Sequence, residues 1–180
     1  MERYAAVLIP IFAAAPPHVV FIERARHLRR HAGQIAFPGG AVEPDEAADH
    51  ERAALREVEE EIGIAPDRVA VVERLPAIRQ RSGGFTVTPF IGIIAPDGPL
   101  TVDANEVAAI HRVPLAAILA PGAVRAGIEI AGERRIDTTH FDHDGLHVWG
   151  LTGHILAAFV ERYRDAASPL RAALGERLSS

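Results

Sequence analysis

The stretch Arg56-Glu57-Val58-Glu59-Glu60-Glu61-Ile62-Gly63-Ile64 decides how the rest of the chain is read. Wound at 3.6 residues per turn, it places Glu57, Glu60 and Glu61 at i, i+3 and i+4, on one face of a helix. Val58 and Ile62, four apart, fall on another face and are free to enter a core. Gly63 supplies the left-handed turn that ends a helix without a side-chain penalty. Carboxylates at this spacing repel one another, and hard divalent cations with oxygen ligands are the natural means of neutralising them. A glutamate run by itself is more often a solvated helix face. The upstream stretch Ala36-Phe37-Pro38-Gly39-Gly40 changes that weighing. It reads as a strand end entering a diglycine loop, whose main chain can approach a ligand closely. Strand, glycine loop and acidic helix together make a site.

At 180 residues, 48% hydrophobic and 24% charged, the chain has the size and make-up of one globular domain with a substantial core. Its formal net charge of −5 argues against a nucleic-acid partner held by net electrostatics. The absence of cysteine excludes disulfides, zinc thiolates and thiol catalysis. No signal peptide, membrane-length apolar run or lipidation motif is recognisable, so a cytoplasmic protein without a membrane partner is expected.

Outward from the acidic helix, Tyr4–Phe12 is a continuous apolar run suited to a buried strand, and His18–Ile22 a second strand, joined as a hairpin. Residues 23–34 carry Arg24, Arg26, Arg29 and Arg30, the main basic concentration of an acidic chain. Arginine forks suit phosphate oxygens, although a solvated loop fits the composition as well. The main helix is expected from Asp49 or His50 to Ile62, with strands at 69–72, 75–78 and 85–94. Arg79 and Arg81 fall in a polar loop between the last two. Beyond a turn at 96–99, Glu106 precedes a strand, and Pro114–Leu119 begins a short helix. Strands at 128–130, 135–141 and 146–150 follow, with turns at Gly132 and at 142–145. Thr152 is expected to cap a helix ending about Arg164, with a helical tail at 166–178. His140, His143, His147 and His154 show no compact ligand spacing, and surface and core roles are expected for them, as for His111.

The glycine loop and acidic helix resemble the signature of the Nudix hydrolases. That signature is a Gly, five residues, a Glu, seven residues, Arg-Glu, an aliphatic residue, any residue, Glu-Glu, any residue, Gly and an aliphatic residue. Gly40 begins it, and Arg56 through Ile64 complete it without a mismatch. The middle departs from the pattern, because nine residues separate Glu46 from Arg56, which leaves Glu43, Asp45 or Glu46 as the first signature glutamate. The preceding segment Arg24–Gly40, with Leu28-Arg29, His31, Gly33-Gln34 and Phe37-Pro38-Gly39-Gly40, resembles the extra motif of the coenzyme A pyrophosphatase branch. The two-residue enlargement fits that branch. So do the segment 82–90, with one extra glycine, and His147–Leu156, with Gly153 where those sequences commonly have alanine.

The resemblance implies a single Nudix domain over residues 1–180, with a core at about 4–160 and a tail at 166–178. Its fold would be α/β, an α/β/α sandwich with a mixed β-sheet and the box helix packed on it. Mg2+ or Mn2+ would be held by Glu57, Glu60 and Glu61 with a main-chain carbonyl at Gly39. The base would be Glu60, Glu57 or Glu106, while Arg56, Gly40 and Gly63 shape the box. The implied substrate is coenzyme A or a thioester, cut to 3′,5′-ADP and the phosphopantetheine half, with Arg24, Arg26, Arg29 and Arg30 on its phosphates. Two rivals stand beside it: a Nudix hydrolase of ADP-ribose, NADH or diadenosine polyphosphates, and a non-catalytic nucleotide-binding regulator. A homodimer is implied by family analogy alone.

Overall fold

The computed structural model describes residues 3–80, 84–95, 98–165 and 167–178. Arg81, most of the 82–84 segment, positions 96–97 of the expected turn and position 166 lie outside these residues.

Strand β1 (Arg3–Phe12) runs parallel to β7 (Phe85–Ile94) along its whole length, from the Arg3–Phe85 pair to the Phe12–Ile94 pair. Its other edge is shared. β2 (His18–Arg24) pairs antiparallel with β1 at Ile11 and Phe12, and β4 (Gly39–Ala41) pairs with it at Ala5 to Val7. β3 (Ile35–Ala36) and β8 (Val107–Pro114) both pair with β2, while β5 (Val69–Arg74) and β6 (Ile78–Arg79) pair with β7. The result is a mixed eight-stranded sheet.

The apolar run in β1 arises because both faces of the sheet are covered, so neither parity of side chain meets water. Ala6, Leu8, Phe12, Val20, Ile22 and Phe90 pack on Ala53, Ala54, Val58 and Ile62 of helix α1 (His50–Ile62). Ile9, Ile11, Phe21, Ile91 and Ile93 belong to the opposite core, with α2 (Leu115–Leu119), α3 (Gly150–Arg164) and α4 (Pro169–Leu178). This is the expected α/β/α sandwich. A second, three-stranded sheet is formed by β9 (Arg125–Ala131), β10 (Arg134–His143) and β11 (Leu146–Val148). Among the described residues no helix is long and apolar enough to cross a membrane.

Several local expectations need correction. Strand pairing over 75–78 is confined to Ile78, and it extends to Arg79, which was expected in a loop. Pro76 has no amide to donate to a ladder, and the chain re-enters the sheet only after it. The 142–145 turn narrows to Asp144-Gly145, both in positive φ, because Asp142 pairs with His147 and His143 with Leu146. The strand expected to Gly150 stops at Val148, since Gly150 opens α3. Thr152 does not cap that helix. The Gly150 amide instead donates to Thr138 Oγ1 at 2.8 Å, so the cap comes from β10. The tail helix begins at Pro169 rather than 166.

Candidate active site

Helix α1 starts at Asp49, whose Oδ1 accepts the Arg52 amide at 3.0 Å, and ends at Gly63 with φ of 72°. Its apolar stripe fixes its rotation on the sheet, and that rotation turns the glutamate face toward β4 and the start of β8. The diglycine of β4 fits this crowding. A Cβ on Gly39 would stand 2.4 Å from the Ala6 carbonyl oxygen, and one on Gly40 would stand 2.3 Å from Glu57 Oε1. β4 can lie between β1 and α1 because neither residue has a side chain.

Arg56 gathers the site. Its Nε and Nη2 donate to Glu46 Oε1 and Oε2 at 2.9 and 3.2 Å, its Nη1 to Glu57 and Glu60 at 2.9 and 3.0 Å, and its Nη2 also to the Ala41 carbonyl at 3.1 Å. Three open alternatives thereby resolve in space. Glu46 is buried and also accepts the Glu43 amide at 3.1 Å, whereas Asp45 pairs with Arg52 at the surface and Glu43 is exposed. The Arg56 guanidinium holds the Glu46 carboxyl below the ordinary carboxylate range, and the same bond raises the arginine's own pKa.

Glu61 differs from Glu57 and Glu60 in being only 1% exposed. Its Oε2 accepts the Gly39 amide at 2.9 Å. Its Oε1 is buried without a hydrogen-bond partner among the described residues and stands 3.6 Å from Arg24 Nη1. Burial pushes this carboxyl up to about 8, against the pull of the Gly39 amide. Burial also raises Glu57, opposed by Arg56. Glu60 is mostly exposed. Glu106, one residue before β8, lies close enough for its charge to act on both Glu57 and Glu61. The four glutamates singled out in the sequence thus surround one site. The structural partner seen for Gly39 is reached by its amide.

The four arginines of the basic segment differ in their surroundings. Alternation along β2 sends Arg24 to the α1 face, beside Glu61, and Glu23 to the opposite face. Arg26 is highly exposed and 3.7 Å from Glu23, while Arg29 and Arg30 are exposed. On the Glu23 face lies a cleft of about 430 Å3 whose lining includes Gly33, Gln34, His111, His147 and Trp149. His111, expected to be a satisfied strand histidine, contacts Glu23 Oε2 at 3.3 Å in its wall.

The histidines hold one arrangement invisible to spacing. His140 and His147 come beside Glu129, with one candidate ligand atom from each within 4.8 Å of the others. The signal would have been strand register: His140 alternates onto the face of β10 that looks at Glu129, and Asp142 pairs with His147.

The NUDIX domain family model matches residues 1–130. An uncharacterized Nudix hydrolase NudL from Salmonella paratyphi B is 40% identical over 158 residues, 86% of this chain and 80% of that protein. A solved MutT/nudix family protein from Enterococcus faecalis is similar in fold with a TM-score of 0.58, at 16% identity over 96% of this chain and 68% of that one. The NUDIX domain of Shewanella oneidensis NrtR, solved with ADP ribose, gives a TM-score of 0.51 at 16% identity, covering 66% of this chain and 77% of that one. With the family model covering most of its length and a relative at 40% identity, the chain belongs to the Nudix hydrolase family.

Proposed function

We propose that this Nudix hydrolase is a metal-dependent pyrophosphohydrolase that cuts the diphosphate of coenzyme A or its thioesters, giving 3′,5′-ADP and the 4′-phosphopantetheine or acyl-phosphopantetheine half. One observation carries the substrate reading. Gly33 and Gln34, from the segment before the box, and Trp149, from the C-terminal motif, line the same cleft although they are far apart in sequence. These are the two segments whose wording resembles the coenzyme A branch, and their convergence supports a common ligand.

The residues present fit Mg2+ or Mn2+. Glu57, Glu60 and Glu61 offer only oxygen, and Glu61 Oε1 is a buried acceptor lacking a hydrogen-bond partner among the described residues. These three would hold the ion, with the Gly39 carbonyl as the further expected ligand. Bound there, it would offset diphosphate charge and make a water more acidic. Arg56 orients Glu57 and Glu60 through one guanidinium nitrogen and anchors itself on buried Glu46. The proton of the attacking water would go to Glu60, Glu57 or Glu106, all in the same electrostatic neighbourhood. Arg24, 3.6 Å from Glu61, and the exposed Arg26, Arg29 and Arg30 of the same segment would draw substrate phosphates.

Hydrolysis of coenzyme A, dephospho-coenzyme A, ADP-ribose, NADH and a diadenosine polyphosphate, with Mg2+ and with Mn2+, tests the reading. Coenzyme A should be cut fastest, and Glu60→Gln and Glu61→Gln should each abolish turnover. Faster cleavage of ADP-ribose, which the NrtR relative binds, would keep the chemistry and remove the assigned substrate. Nucleotide binding without turnover would replace both with a regulatory role.

A further inference from the structure

The small sheet carries a second constellation, on strands that the family model does not fully cover. Antiparallel pairing of β9 with β10 puts Arg125, Gly127 and Glu129 on the same side as Thr138, His140 and Asp142, and β11 adds His147 opposite Asp142. The other side of β10 presents Phe141 to the core. His147 Nδ1 bonds Asp142 Oδ1 at 2.6 Å, and Asp142 is held in turn by Arg125 at 2.5 Å. His147 Nε2 faces Glu129 Oε2, 3.6 Å away, and Asp142 together with Glu129 raises the imidazole above its ordinary value, so an ion bound at Nε2 would take the place of a proton held between the two groups. His140 is 8% exposed, and its Nδ1 lies 3.9 Å from the same Glu129 oxygen. Its ring is seated over the bare backbone of Gly127, where a Cβ would come within 2.5 Å of it. Its Nε2 is buried and has no hydrogen-bond partner among the described residues.

From this geometry we infer that Glu129, His140 and His147 form a binding site for a borderline transition-metal ion such as Zn2+, separate from the acidic helix. Two imidazoles and one carboxylate suit zinc better than magnesium, whose preference is for oxygen. Their atoms need to draw together only modestly to reach the spacing of about 3.3 Å that tetrahedral Zn–N and Zn–O bonds impose. Asp142 acts as a positioning residue: its bond to Nδ1 fixes the tautomer and aims Nε2, the arrangement found behind metal-bound histidines. Three protein ligands leave a fourth position for water or for a donor atom of another molecule. His147 is also part of the cleft wall, so an ion here would sit beside that cleft.

The test uses the full chain, stripped of metal by chelator and returned to millimolar Mg2+ so that the acidic helix is supplied with its preferred ion. Zn2+ is then titrated by calorimetry, and Co2+ by visible absorption. One equivalent of Zn2+ should bind, and Co2+ should give the intense visible bands of a four-coordinate nitrogen–oxygen site. Glu129→Gln and His147→Ala, both at partly exposed positions, should each weaken binding at least about tenfold, and Asp142→Asn by about 10- to 100-fold. Glu61→Gln should leave the Zn2+ isotherm and Co2+ spectrum unchanged. Absence of zinc binding by the wild type would overturn the inference. So would binding that survives Glu129→Gln and His147→Ala but disappears in Glu61→Gln.

Discussion

Gly40→Ala tests the central geometry of the site, because there the added atom meets a carboxylate rather than the backbone. The new Cβ would stand 2.3, 2.4 and 2.6 Å from Oε1, Cδ and Oε2 of Glu57, well inside ordinary contact. Gly40 is not among the residues with positive φ, so alanine brings no backbone strain there. The Glu57 side chain yields instead, retreating by about 1 Å and breaking its 2.9 Å bond from Arg56. If Glu57 holds the metal as proposed, a displacement of that size is expected to lower kcat/KM about 100-fold, or about 2.7 kcal/mol of transition-state stabilisation. It should also raise the Mg2+ concentration needed for half-maximal rate, while the melting temperature changes by no more than a few degrees. Gly39→Ala is the contrasting variant. Its Cβ would meet Ala6 O at 2.4 Å and Val7 Cα at 2.6 Å, with φ of 156°, so main chain would have to move and the fold itself should weaken. Thermal melts and diphosphate hydrolysis across a Mg2+ series separate the two effects. Wild-type turnover and metal dependence in Gly40→Ala would refute the reasoning, as would a loss of stability equal to that of Gly39→Ala.

Glu61→Gln keeps an acceptor for the Gly39 amide but, above about pH 8 where the carboxyl is ionised, removes a charge from a buried site, so in chelator at such pH its melting temperature should equal or exceed that of the wild type, while metal-supported hydrolysis is lost. A marked fall in melting temperature would show that the Arg24 contact outweighs the cost of burying the carboxylate. Glu46→Gln should cost about 2 kcal/mol at neutral pH by weakening the charged bonds to Arg56. Because the folded carboxyl of Glu46 lies below its unfolded value of about 4.3, that stability is complete above this value and disappears as pH falls through the folded value. Denaturant midpoints of the two proteins should therefore converge in acid, and a gap that persists at the lowest pH would contradict the assignment. Gly153→Ala should cost about 1–3 kcal/mol, since its Cβ would lie 2.1 Å from the Thr139 carbonyl oxygen and α3 would be pushed from β10. An unchanged midpoint would mean that the helix can shift freely.

What was legible in the sequence was local or periodic. Helix α1 and its glutamate face follow from a 3.6-residue repeat, and its end from Gly63, because both depend on residues within a turn of each other. β1, β2 and β7 were readable because strands buried on both faces are apolar throughout. The Asp144-Gly145 turn was visible as a turn, but its length depended on which residues paired across it. Choosing Glu46 over Asp45 required the position of Arg56 Nε, and seeing Arg24 as a neighbour of Glu61 required knowing on which strand residue the alternation begins. Thr138 rather than Thr152 supplies the α3 cap because a hydroxyl from another strand reaches the free amide first. Glu129, His140 and His147 meet only through the register of three strands. Residue types and their periodic faces are properties of short stretches of chain. Which of them meet follows from packing, because hydrogen bonds and ion pairs act over a few ångströms in space, whatever the separation along the chain.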